Sequence, residues 1–314
     1  MIFNEILKKK FSMISSKAAA ATYKYIGKKN KELADKAAVD AMRNEINKLS
    51  VDGEIVIGEG ELDEAPMLYV GEKVGNGKGI QIDIAVDPVE GTNFVANNLP
   101  GGLSVIAFAK KGDLFKSPET YMDKIAVGSD VPDDCIDLDN SVKVNINNLA
   151  DYKNIKTSSI TACLLDRPRH KKIIEELLSL NVKLKLISDG DVAGALMVTD
   201  KKYSVDIFMG IGGGPEGVLA ASALDAYNCK FQCRFLFNDD KSKLRAKEMG
   251  VKDFTKKYDL NEIVKGESVF CATGITNGEL LNGVKHLNRK LHTETLVTHK
   301  NNSISVVKNE IPDT

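Results

Sequence analysis

No long apolar run occurs anywhere in these 314 residues, and no stretch approaches the length that a membrane span requires. The opening segment, MIFNEILKKKF, lacks a continuous apolar stretch followed by a small-residue cleavage site, so no export signal is expected. The formal charge is only −1 and the basic residues are scattered, which leaves no electrostatic footprint for a nucleic acid. Five cysteines, at 135, 163, 229, 233 and 271, are odd in number and irregular in spacing, as expected of reduced thiols in a cytosolic enzyme. Cys229 and Cys233 lack the second cysteine or histidine cluster that would complete a zinc site. Fixed-period repeats and low-complexity tracts are also missing. These absences predict a soluble, cytoplasmic protein with no nucleic-acid or membrane partner.

An apolar content of 43% is enough for one large domain or two medium ones. Periodicity predicts helices over 3–26 and 31–48, then strands at 54–57, 80–86 and 102–109, the last running into a hairpin-like Lys110-Lys111-Gly112-Asp113. Residues 128–156 are polar, rich in Asp and Asn and weakly periodic, which places a domain junction there. Beyond it, strands at 158–165, 182–187, 205–209 and 231–237 alternate with helices at 170–180, 190–198, 215–227 and 240–249, before an apolar run at 268–271. That rhythm predicts an α/β fold with an acidic, metal-binding subdomain over 1–150 and a substrate-binding α/β subdomain over 151–314.

What the chain does have is a dense acidic block. Glu59, Glu61, Asp63, Glu64, Asp83, Asp87 and Glu90 crowd around hydrophobic runs and end in Asp87-Pro88-Val89-Glu90-Gly91-Thr92. Carboxylates packed together raise one another's pKa unless a cation neutralises them. Oxygen-only donors favour Mg²⁺ or Mn²⁺ over zinc, copper or iron, and a metal so held usually works on phosphate. Asp35 follows Lys31 by one helical turn, which would also suit a surface ion pair.

Three strand ends after residue 157 add polar groups. Arg167-Pro168-Arg169-His170 suits bidentate phosphate recognition, or a solvated basic turn. Ser188-Asp189-Gly190-Asp191 would take sugar hydroxyls or cap the following helix. Gly212–Gly217 formally matches the dinucleotide fingerprint G-x-G-x-x-G, but Glu216 would repel a pyrophosphate there and reads better as a metal ligand. Open α/β sheets bind ligands at such strand ends, which favours the functional readings taken together.

These motifs, namely I-V-I-G-E-G-E-L-D-E-A-P-M-L-Y at 55–69, D-P-V-E-G-T at 87–92, R-P-R-H at 167–170, D-G-D-V-A at 189–193, G-I-G-G-G-P-E-G-V at 210–218 and A-T-G-I-T-x-G at 272–278, resemble the class II (GlpX-type) fructose-1,6-bisphosphatases. The resemblance runs from about Ala18 to Thr295. It implies a layered α/β/α/β/α sugar-phosphatase fold and Mg²⁺- or Mn²⁺-dependent removal of the 1-phosphate of fructose 1,6-bisphosphate, in gluconeogenesis. Some photosynthetic members also act on sedoheptulose 1,7-bisphosphate. Carried over by residue, Asp35, Glu59, Asp87 and Glu216 resemble the metal-binding acids, with Glu90 beside them, while Lys31 and Thr92 resemble catalytic positions. Glu90, Gly91, Thr92, Tyr121, Arg167, Arg169, Asp189, Gly190, Asp191 and Glu216 resemble the substrate-binding set. A homodimer or homotetramer is expected. The first helix departs from the pattern, reading F-S-M-I-S-S-K-A-A-A where close relatives carry R-V-T-E before the alanines. The loop before Lys31 reads Gly27-Lys28-Lys29-Asn30 instead of G-x-G-D. The rival readings are a phosphatase for an inositol monophosphate or nucleotide 3′-phosphate, a nicotinamide-dependent oxidoreductase, and a non-catalytic sugar-phosphate sensor.

Overall fold

The computed structural model describes residues 2–58, 68–300 and 303–313. The chain opens with α1 (Glu5–Thr22) and α2 (Lys31–Ile46), followed by β1 (Val51–Ile57), β2 (Lys73–Val74), β3 (Ile80–Glu90), α3 (Thr92–Asn97) and β4 (Leu103–Lys110). Next come β5 (Tyr121–Val127), α4 (Val142–Lys153), β6 (Thr161–Leu165), α5 (Lys171–Ser179), β7 (Lys183–Ile187), α6 (Asp191–Leu196) and β8 (Ile207–Gly213). Then follow α7 (Gly214–Asp225), β9 (Lys230–Leu236), α8 (Asp240–Glu248), β10 (Tyr258–Asp259) and α9 (Leu260–Ile263). The chain closes with β11 (Ser268–Gly274), β12 (Lys285–Leu287), β13 (Lys290–His299) and β14 (Ser303–Pro312). The fold is mixed α/β with two sheets.

Two compact units result: Met1–Lys116 with Val264–Thr314, and Ser117–Ile263. The expected division into 1–150 and 151–314 does not coincide with them, for two physical reasons. The polar stretch 128–156 contains α4, capped by Ser141, whose Ile146, Leu149 and Ala150 enter the second unit's core. The C-terminal strands return to the first unit because β11 pairs with β4. Local periodicity carries neither of these long-range facts.

In the first unit the sheet order is β12-β13-β11-β4-β3-β1-β2, with β14 added to β13. Alternation along β3 sends Ile82, Ile84 and Val86 into one apolar core with Val39 and Met42 of α2. Phe11 of α1 stacks on Phe108 of β4 at 3.7 Å between ring centroids. The serines that distinguish α1 form part of a buried hydroxyl network. Ser15 Oγ accepts from Thr273 Oγ1 at 2.8 Å, and Ser16 Oγ lies 2.8 Å from Thr295 Oγ1 and accepts from Asn309 Nδ2 at 2.9 Å. A fully partnered network of this kind fixes the helix on the sheet without leaving a buried polar group unsatisfied. Asn30 Oδ1 accepts from Leu33 N at 3.0 Å, so the altered 27–30 loop keeps its helix cap.

In the second unit the order is β10-β9-β5-β8-β6-β7. One face packs Ile125, Leu164 and Ile207 against α4 and α5. Met122 and Lys124, on the alternate phase of β5, lie under α7 at Gly217. All five cysteines are buried, reduced thiols, and burial pushes Cys229 up to about 12.

Candidate active site

The second unit brings together one set of the candidate side chains. Strands β8, β6 and β7 are parallel neighbours, so their carboxyl ends share one edge of the sheet. Residues 167–169, 189–191 and 214–216 leave the strands at that edge. Strand β5 runs antiparallel to β8 with Tyr121 opposite Gly213, which brings Tyr121 to the same place. Arg167 Nη2 lies 3.7 Å from Asp189 Oδ1. The Arg169 guanidinium sits 4.9 Å over the Tyr121 ring, and its Nε donates to the Ile211 carbonyl at 2.8 Å. Gly190 takes the left-handed φ of 83° at the N-cap of α6, where a side chain would be strained.

His170 is a buried framing group. Its Nδ1 lies 2.7 Å from the Leu165 carbonyl and its Nε2 accepts from Ile211 N at 2.7 Å. That pairing needs the neutral Nδ1–H tautomer, and burial accordingly lowers its pKa. It holds the end of β6 to β8, where the arginines emerge.

Sequence reasoning missed Lys124. Its ammonium is buried and bonded to the Asp191 carboxylate and, at 2.8 Å, to the Gly213 carbonyl. The only signal was a lysine on the apolar phase of Met122 and Ala126, within a strand the pattern did not reveal. Half-buried Glu216 stands in the first turn of α7, where burial raises its carboxyl above the ordinary value and Lys124 opposes the shift. A cleft of about 400 Å³ lies here, lined by Tyr121, Gly213, Pro215, Glu216, Asn238 and Ser242.

The first unit gathers the other set. A register shift between Asp87 and Glu90 breaks the pairing of β3 with β4. Val89 N donates to Asp87 Oδ1 at 3.1 Å, and Glu90 is buried. Gly91 adopts φ 76°, where a side chain is strained, and turns the chain into α3, whose first residue is Thr92. Gly27 N and Lys29 N donate to the Val95 and Ala96 carbonyls at 2.9 and 2.8 Å. Those bonds tie the start of α2, with exposed Lys31 and half-buried Asp35, to the helix carrying Thr92.

The block of acids divides differently from its sequence reading. Asp83 is buried mid-strand, and its Oδ2 accepts from Gly112 N at 2.6 Å and Leu114 N at 3.5 Å, so it holds the turn after β4. Asp87 lies four residue steps further along the strand, roughly 13 Å in an extended chain, too far to share a cation. Glu59, Glu61, Asp63 and Glu64 lie outside the described residues. Among the described residues no group of three or more His, Cys, Asp and Glu side chains is placed to hold a metal. The described donors Asp35, Asp87, Glu90 and Glu216 are all carboxylates, the chemistry that fits a hard divalent cation.

The profile of the family described as "Bacterial fructose-1,6-bisphosphatase, glpX-encoded" matches residues 5–310. The chain belongs to this family. It is 40% identical over 308 residues to the fructose-1,6-bisphosphatase class 2 of Haemophilus influenzae, covering 94% of this chain and 92% of that one. Identity to fructose-1,6-bisphosphatase 1 class 2 of Escherichia coli K12 is also 40%, over 91% of this chain and 89% of that one. Among solved structures, the extragenic suppressor protein SuhB of Bartonella henselae aligns with a TM-score of 0.35 at 11% identity, over 62% of this chain and 74% of that chain. Membership of the glpX-encoded bisphosphatase family implies dependence on a divalent metal and a sugar bisphosphate substrate.

In this family member the glycine run also has a physical reading that removes the dinucleotide fingerprint. Gly210–Gly213 belong to β8, and no open loop is left for a pyrophosphate. A Cβ on Gly212 would stand 2.2 Å from Asp191 Oδ2, and one on Gly213 would stand 1.8 Å from Glu216 Oε2. The missing side chains make room for the chain's own acids.

Proposed function

We propose that this chain hydrolyses the 1-phosphate of fructose 1,6-bisphosphate, giving fructose 6-phosphate and phosphate, as a gluconeogenic class 2 fructose-1,6-bisphosphatase. The observation that carries the reading is the Arg167, Arg169 and Tyr121 group beside Asp189 and Asp191. It supplies a phosphate grip with hydroxyl acceptors next to it, in addition to the acids of the Asp87–Thr92 turn. A single-phosphate substrate would need only one of these sets.

Asp35, Asp87, Glu90 and Glu216, with Glu59, would hold Mg²⁺ or Mn²⁺, which when bound supplies Lewis-acid activation of water and neutralises phosphate charge. The rest is the work of side chains. Thr92, fixed at the start of α3 by Gly91, presents its hydroxyl to orient the attacking water in line with the phosphorus. Lys31 adds positive charge in the first turn of α2. Arg167 and Arg169 hold the phosphate that is not cleaved, while Tyr121, Asp189, Gly190 and Asp191 orient the sugar. A homodimer or homotetramer in the cytoplasm accords with this reading, as does the set of reduced buried thiols.

The test is phosphate release from a panel of sugar mono- and bisphosphates, inositol monophosphate and a nucleotide 3′-phosphate, with Mg²⁺ and with Mn²⁺. Fructose 1,6-bisphosphate should lead the panel, and exhaustive chelation should abolish turnover until metal is restored. Preference for a monophosphate, or full activity after chelation, would overturn the reading.

A further inference from the structure

Lys124 belongs to neither the metal-binding nor the substrate-binding set, yet it is the cation around which that edge of the second sheet is built. Its side chain is only 1% exposed. Burying an ammonium is costly unless it is paired and hydrogen-bonded, and here both conditions hold, through Asp191 and the Gly213 carbonyl. The chain gives up side chains to accommodate it. A Cβ on Gly212 would lie 2.9 Å from Lys124 Nζ, and one on Gly217 would lie 2.3 Å from Met122 Sδ and 3.3 Å from Lys124 Cδ. An apolar residue could fill a core position without any charge to neutralise, so filling space does not account for a lysine there.

The contacts say what the charge does. Asp191 is 8% exposed and engages Lys124 through Oδ2, so its rotamer is set from below. The Gly213 carbonyl belongs to the N-cap of α7, the helix that carries Glu216. Lys124 therefore ties an acid at the end of β7 to the start of the helix after β8, from the floor of the strand between β8 and β9.

We propose that Lys124 is a positioning residue for the sugar: by holding Asp191 and the Gly213 carbonyl it pre-sets the hydroxyl-accepting geometry of this edge. The proposal rests on the reading of Asp191 as a sugar contact. It is tested with Lys124→Met, Asp191→Asn and the double variant in the full chain. Affinity for fructose 6-phosphate is measured by calorimetry in chelator, and kcat and KM for fructose 1,6-bisphosphate are measured with metal. Loss of a charge-assisted bond predicts a roughly 10- to 100-fold weaker affinity for fructose 6-phosphate in Lys124→Met. In the Asp191→Asn background the same substitution should cost less than about twofold, because the two act as one unit. Should Lys124→Met fail to fold, Gly212→Ala perturbs the same pair and should weaken fructose 6-phosphate binding in the same way. Wild-type affinity in a stably folded Lys124→Met, or full additivity in the double variant, would overturn the inference. Wild-type protein that neither cleaves the bisphosphate nor binds fructose 6-phosphate would remove the functional reading and this inference with it. Wild-type binding beside an unaffected variant would remove the inference alone.

Discussion

Arg169 offers the most discriminating perturbation. Its Nε is committed to the Ile211 carbonyl and its face to the Tyr121 ring, so the guanidinium plane is already oriented on an exposed residue. A charge-assisted pair to a phosphate contributes about 1.5–3 kcal/mol, which converts to a rise in KM of roughly 10- to 100-fold for Arg169→Ala. Arg169→Lys keeps the charge but loses the planar fork and the Nε bond, so about half of that free energy should return. Because Arg169 is exposed, losing the Nε bond and the ring contact should lower the folding free energy by only about 1 kcal/mol. The assay is steady-state kinetics on fructose 1,6-bisphosphate and on fructose 1-phosphate, which offers the same scissile bond without the second phosphate. If Arg169 grips that second phosphate, its loss matters for the bisphosphate and little for the monophosphate. Equal damage to both would place Arg169 at the reacting phosphate and refute the assignment.

Thr92→Ala should lower kcat by roughly 10²-fold with a smaller change in KM, since it removes a contact made mainly in the transition state; an unchanged kcat would exclude the water-orienting role. Glu54 is held at about 2, well below its ordinary 4.5, by hydrogen bonds from Lys116 and then Lys73. A depressed carboxylate stabilises the fold above pH 4.5 and loses that contribution as pH falls toward 2, so Glu54→Gln should flatten acid denaturation in that window. Because both lysines are well exposed, the cost at neutral pH should be only about 1 kcal/mol by chemical denaturation. Lys29 stands in the left-handed region at φ 57°, where the G-x-G-D pattern has glycine, and Lys29→Gly should raise stability by about 0.5 kcal/mol once glycine's own entropy cost is subtracted.

The helices and the strands of the β6–β8 region are legible in the sequence because their periodicity is local and their boundaries carry turn residues. Strand β7 and helices α5 and α6 begin or end within a few residues of their expected limits. Strands β5, β13 and β14 are not legible. Strand β5 carries Lys124 on its inward phase, which breaks the alternation a reader looks for, and its partners β8 and β9 lie far along the chain. The ten-residue ladder of β13 with β14 stabilises strands whose outward positions, such as Lys308 and Glu310, look like loop. Asp83 groups with the site acids on sequence alone because proximity along the chain says nothing of its two backbone donors in the turn after β4.

The candidate site divides along the same physical line. Arg167, Arg169, Asp189 and Asp191 can be picked out because a strand end in an α/β sheet exposes whatever follows it, and polar residues there have few other uses. Lys124 cannot, because a buried charge is defined by its partners, and Asp191 and Gly213 come from α6 and β8 rather than from its neighbours in the chain. The glycines show the same limit from the other side. A glycine in a sequence reports that a Cβ is unwelcome, but not what occupies the space. In a dinucleotide fold the occupant is a pyrophosphate, whereas beside Gly212 and Gly213 it is Asp191 and Glu216. The identical string therefore makes room for a bound anion in one fold and for the chain's own carboxylates in the other, and the acid three residues after Gly213 distinguishes the two uses before the fold is known, because a carboxylate at the helix start repels a pyrophosphate there.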